Sequence, residues 1–155
     1  MQYKITIDEV EYGEDNIVSA TIKRPLFNEL SIGNTCEAIL TLVVYPTQEI
    51  ARMATIVAYG SENGTTWQQI GVFYIDERTV TPSGRMTIIA YDSMLKADTV
   101  WTPANNLQFP MSMSTAANTL AALIGITVDS RSQISNTYTI DYPANNYTIR
   151  DVLGY

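Results

Sequence analysis

Histidine is absent from this 155-residue chain, and Cys36 is its only cysteine. These two absences exclude disulfides within the chain, zinc sites built from Cys and His, and every catalytic pair in which a nucleophile passes its proton to histidine. Charge is scarce as well: 16% of residues are Asp, Glu, Lys or Arg, and nine basic residues against sixteen acidic ones leave a formal charge of -7. A basic footprint for phosphate is missing, so neither specific nucleic-acid binding nor adhesion to an anionic membrane is expected. The longest uncharged apolar stretch, residues 38–46, is far too short to span a bilayer as a helix. Met1 leads straight into a strand-like pattern and not into a signal peptide.

What the chain does have is 46% hydrophobic residues, with Thr, Ile, Val and Tyr plentiful. That is enough apolar surface for a core, and its β-branched and aromatic character favours half-buried strands. Residues 3–8 alternate apolar and polar side chains; Tyr12-Gly13-Glu14-Asp15-Asn16 then supplies turn chemistry before residues 17–23, which reads as an opening hairpin. Arg24-Pro25 ends that strand, and a connection containing Gly33 and Asn34 follows. Residues 37–45 are almost continuously apolar, the pattern of a central strand covered on both faces. Further strands are expected at 53–59, 66–76 and 85–91, with a tight hairpin at Asn63-Gly64 and a second turn at Thr81-Pro82-Ser83-Gly84. Asp92 is placed to cap a short helix over 93–97. Short strands at this spacing suggest a barrel or sandwich, and the pattern predicts a closed or nearly closed antiparallel β-barrel over residues 1–100, since closure removes exposed edges, with Ile5, Ile7, Leu40, Leu42, Val44, Val72 and Ile88 inside.

Around Trp101-Thr102-Pro103-Ala104-Asn105-Asn106 the period-two pattern breaks, which marks residues 101–110 as a linker. Met113, Ala116, Ala117, Leu120, Leu123 and Ile124 then fall on one helical face, and Gly125 stands where a left-handed terminus is wanted. With short strands near 126–128 and 138–141, residues 111–155 read as the start of a second, α+β domain. Thr148-Ile149-Arg150-Asp151 has the capping-box form, and two helical turns at the end of a chain are marginal alone, so the natural protein is expected to continue past Tyr155.

Gly71-Val72-Phe73-Tyr74-Ile75-Asp76, the turn at Pro82-Ser83-Gly84, and Met86 through Tyr91-Asp92-Ser93-Met94-Leu95-Lys96 together resemble a signature of bacteriophage tail hub proteins. These are the baseplate hubs of contractile tails and the amino-terminal hub domains of tail-associated lysins in long non-contractile tails. Their pattern is a strand ending in a G-x-F-x-I-D form, a hairpin, and a strand running into a Y-D-x-[ML]-L-K helix start. Thr148-Ile149-Arg150-Asp151-Val152-Leu153-Gly154-Tyr155 is similar to the family's next landmark, which opens a helix in the second domain. The resemblance implies a non-enzymatic structural virion protein, made in the host cytoplasm and located in the phage or prophage tail. There a homo-oligomeric ring, usually trimeric, would join the tail tube and neighbouring distal tail proteins to the tip. In such a ring the acidic excess would give a negative lumen that repels DNA.

Several residues invite sharper readings. Asp8, Glu9, Glu11, Glu14 and Asp15 put five carboxylates within eight residues, but strand alternation splits them and the order does not match a helix-flanked calcium loop. A solvated hairpin tip is the better account. Asp76, Glu77, Asp92 and Asp98 could supply a carboxylate pair for glycoside hydrolysis, the one enzymatic chemistry the composition leaves open. Trp67, Trp101, Tyr59, Tyr74 and Tyr91 could form a stacking platform for sugars, which makes a carbohydrate-binding β module the alternative function. Ser31-Ile32-Gly33-Asn34-Thr35 lacks the Gly-Lys-Ser/Thr end of a phosphate loop, and Cys36 reads as a packing residue. No catalytic, metal-binding or cofactor-binding residues, and no cofactors, are therefore assigned.

Overall fold

A computed structural model of the chain describes residues 2–25, 37–102, 108–142 and 146–154. The described residues fall into two compact units, divided between Leu95 and Lys96.

In the first unit, strand β1 (Gln2–Ile7) alternates as expected and turns Ile5 and Ile7 inward. Asp8 and Glu9 both take positive φ, 44° and 71°, the two-residue geometry that suits strand twist. Asp8 Oδ1 also accepts a hydrogen bond from the Thr55 backbone N–H at 2.8 Å. The chain returns at once as β2 (Val10–Tyr12). This relocates the opening hairpin: its turn is Asp8-Glu9, and residues 12–16 are a connection in which Asn16 and Ile17 donate to the Gly13 carbonyl. β3 (Ile17–Lys23), expected beside β1, pairs with β4 (Ile39–Val44) instead.

β5 (Thr55–Ser61), β6 (Gln68–Val80) and β7 (Met86–Tyr91) complete an antiparallel sheet in the order β2-β1-β5-β6-β7-β4-β3. The fold is mainly β, a seven-stranded antiparallel half-barrel with a small helical segment. Full closure is not reached, since among the described residues no ladder joins β3 to β1 or β2. The central strand is β6, not residues 37–45. β4 buries only one face: Leu40, Leu42 and Val44 are inside while Thr41 is exposed. Its unbroken apolar pattern arises because the outward positions Ile39 and Val43 are apolar too, and those are half-buried.

Of the seven residues expected in the core, six are buried. Val72 is the exception and is half-buried, because β6 turns Phe73 and Ile75 inward. The Asn63-Gly64 pair lies in a longer loop, not a two-residue hairpin: Asn63 Oδ1 accepts from the Thr65 and Thr66 backbone N–H groups at 3.0 and 2.9 Å. The Thr81–Arg85 turn forms as expected, with Gly84 at φ 80° and its N–H donating to the Thr81 carbonyl.

In the second unit, α1 (Met113–Leu123) starts at the Ser112 cap and gives way to Gly125 at φ 75°, as the sequence predicts. Ala116, Leu120, Ala121 and Ile124 are buried, whereas Leu123, expected on that face, is 59% exposed. Of the two short strands expected after α1, only β9 (Thr139–Ile140) forms, and its partner is β8 (Met111–Ser112); residues 126–128 are not a strand.

α2 (Ile149–Leu153) opens on a full capping box between Thr148 and Asp151. The Thr148 hydroxyl and then its backbone N–H hold the Asp151 carboxyl below the usual carboxylate range. A lowered folded-state pKa adds stability that is complete above the unfolded value and is lost as pH falls through the folded one. The first turn of α2 is therefore expected to fray on acidification, read as a loss of amide-exchange protection at Asp151 and Val152 relative to the intrinsic rate at each pH. Thr148→Ala should do the same at neutral pH, costing about 1 kcal/mol. Unchanged exchange in that variant would show that the box contributes nothing.

Candidate functional site

Three of the four carboxylates weighed for hydrolysis are held by partners of their own. Asp92 holds two backbone donors: Oδ2 accepts from the Ala38 N–H at 2.9 Å and Oδ1 from the Met94 N–H at 2.9 Å. It thereby caps the short 3-10 helix Ser93–Asp98 and ties it to the chain entering β4. Asp76 is ion-paired with Arg52 at 2.9 Å. In the second unit Asp98 is ion-paired with Arg150 at 2.6 Å. Glu77 is exposed on β6, one step past the bulge that follows Ile75.

The carboxylates of the first turns are equally dispersed. Asp8 caps the Thr55 N–H, Glu11 pairs with Lys4 at 2.8 Å, and Glu14 and Asp15 lie in the following turn. Among the described residues no group of three or more acids, Cys or His could hold a metal ion. Cys36 and residues 31–35 lie outside the described residues, as do Pro103, Ala104, Asn105 and Asn106 of the expected linker.

The five aromatics split three ways. Trp101 belongs to the second unit, is 3% exposed and packs on Phe109 with ring centroids 6.4 Å apart. Tyr59 and Trp67 converge on Lys4, whose ammonium lies 5.7 Å and 4.8 Å from their ring centroids. That cation–π cluster sits at the rim of an apolar groove of about 440 Å³, walled by Tyr3, Ile5, Ile17, Ile22, Ala58 and Ile70. The groove is the gap left where the half-barrel does not close.

Tyr74 and Tyr91 form the third arrangement. They face each other directly across the β6–β7 ladder and point away from the core. The row continues to Thr55 on one side and Ile39 on the other, with Val57–Val72 and Ile89 close by. Burial first, then the Asp76, Glu77 and Glu37 carboxylates, raise the Tyr91 phenol above its ordinary value, so it stays a neutral donor at physiological pH. Neither a family model nor a curated protein matches this chain.

The half-barrel therefore offers a half-buried outward face with an apolar and aromatic row, rimmed by acids, and a slot bordered by the edge strand β3. The outward row was only partly legible, because Tyr74 and Tyr91 stood out as aromatics but their pairing depends on register. The Lys4–Glu11–Trp67 cluster was missed; its only signal was alternation, which places Lys4 and Glu11 on the outward side of neighbouring strands.

Proposed function

We propose that this chain is a structural component of a bacteriophage or prophage tail tip, contributing a half-barrel to the homo-oligomeric hub ring that joins tail tube and tip. The carrying observation is that the residues resembling the hub signature fall in succession on two paired strands and the short helix that follows them. Gly71 through Asp76 lie in β6, Met86 through Tyr91 form β7, and Asp92 caps the 3-10 helix that holds Met94, Leu95 and Lys96. The second landmark opens α2 through its capping box. In this reading Tyr91 and Asp92 have separate jobs: the tyrosine presents the outward face and the aspartate fixes the corner.

Ring assembly would bury the Tyr74–Tyr91–Ile39 row against a neighbouring copy, which suits the apolar, acid-rimmed character of that face. The test is the molar mass of the product of the complete reading frame by light scattering. A homo-oligomer, trimeric as in the family resembled, is expected, and Tyr91→Asp should weaken its assembly at least tenfold by placing a charge in the buried row. A strictly monomeric product would overturn the ring.

The carbohydrate-binding reading has one observation in its favour, the convergence of Tyr59 and Trp67 at the groove rim. It requires Trp67→Ala to abolish binding to an oligosaccharide array, and that outcome would promote it. The proposal also includes the absence of catalysis: incubation with peptidoglycan and soluble glycans should release no products.

A further inference from the structure

We infer that β3 is a pairing edge, and that its occupant is the β3 strand of a second copy running antiparallel to it. β3 ends the sheet and is bonded only to β4 among the described residues. Residues 18–21 are exposed, Val18 at 44%. Edge strands are normally protected by charge, proline or irregularity, because their free N–H and C=O groups template another strand. Between Ile17 and Ile22 there is no charge and no proline, and the one irregularity, at Val18, leaves Ser19 to Lys23 in a regular ladder.

The side chains are sorted for such a partner. Register with Leu42 and Leu40 places Ala20 and Ile22 toward the inner face, and Ser19, Thr21 and Lys23 toward the outer one. An antiparallel copy centred near Ala20 would set Ser19 against Thr21 outside and extend the apolar inner row over the groove. Charge selects this orientation. Glu14 and Asp15 precede the strand, while Lys23 and Arg24 follow its uncharged middle. Antiparallel pairing brings the acidic turn before each copy's β3 toward the Lys23 end of the other's, so that opposite charges meet at both ends. Parallel pairing would align like charges, and a partner without this polarity would leave both ends unmatched. The contact uses the sheet edge, not its outward face, and does not rest on the ring reading.

Sedimentation of the chain over a wide concentration range tests the idea. The expected result is a concentration-dependent two-fold association that Thr21→Pro or Thr21→Lys weakens at least tenfold, with circular dichroism unchanged. The lysine variant retains every backbone donor, so the test survives if the proline variant does not fold. In a Cys36→Ser background, Ala20→Cys should cross-link two copies on oxidation, whereas Thr41→Cys, exposed on the neighbouring strand, should not. Association abolished by Tyr91→Asp but indifferent to both Thr21 variants would overturn the edge contact and leave the ring reading standing. A wild-type chain that stays monomeric at every concentration, or that binds only an added extended peptide of other sequence, would also overturn it.

Discussion

Phe73→Ala is expected to destabilise the first unit by about 3–5 kcal/mol, among the largest effects of a side-chain truncation in the half-barrel. The ring is 1% exposed at the middle of β6, the central strand, and packs among Ile5, Leu40, Ile56 and their neighbours in one continuous core. Removing it costs both transfer free energy and a cavity that strands anchored on both sides cannot collapse to fill. Gly71 is tied to the same ring: a Cβ there would lie 2.9 Å from Phe73 Cε2 and 3.0 Å from its Cζ. Gly71→Ala should therefore cost about 1–3 kcal/mol by overpacking. In the Phe73→Ala background that penalty should shrink, because the ring atoms are gone and only the Arg24 guanidinium, 3.2 Å from such a Cβ, is left to give way. Denaturant unfolding of the two single variants and the double variant measures this. A loss below about 1 kcal/mol for Phe73→Ala, or simple additivity, would show that the ring does not organise the core.

This pair also shows what could be read from sequence and what could not. Alternation around Gly71-Val72-Phe73 identifies a strand without ambiguity, but not which set of alternate residues faces inward, since Val72 and Phe73 are both apolar. That choice was settled by tertiary register, and it went to the larger ring. The same ambiguity affected residues 37–45, where apolar residues at Ile39 and Val43 imitate a strand buried on both faces while lying on the outward one. Local chemistry was a better guide wherever one residue type has one geometric use. Gly84 and Gly125 both take the left-handed conformation expected of them, and Thr148 and Asp151 form their reciprocal cap. Asp8-Glu9 was passed over as a turn because its left-handed geometry is more often supplied by Asn or Gly. Once that turn is placed, β3 is released from β1 and becomes the far edge of the sheet. The outward row and the open slot follow from that topology, which no local pattern encodes.

Asp92 carries the remaining large effect, and it bears directly on whether the chain is an enzyme. Its two carboxylate oxygens each accept a backbone N–H, from Ala38 and from Met94, while its own N–H donates to the Ala38 carbonyl at 3.1 Å. The side chain thus joins the start of β4 to the 3-10 helix that ends β7, across 54 residues of sequence. Hydrogen bonds to a charged acceptor contribute about 1.5–3 kcal/mol each, and Asp92→Ala strands two donors, so a loss of about 3 kcal/mol is expected. Asp92→Asn keeps the shape but turns an amide N–H toward one of those donors, which should cost about 1–2 kcal/mol. A catalytic acid would behave in the opposite way: the asparagine variant would retain full stability and lose all turnover. Thermal unfolding of both variants, run beside the peptidoglycan and glycan assays, separates the two roles. Stability ordered wild type, then Asn, then Ala, with no hydrolysis in any of them, is the result expected of a corner clamp. An Asp92→Asn protein as stable as wild type but deprived of a measurable hydrolytic activity would make Asp92 a catalytic residue and the chain an enzyme.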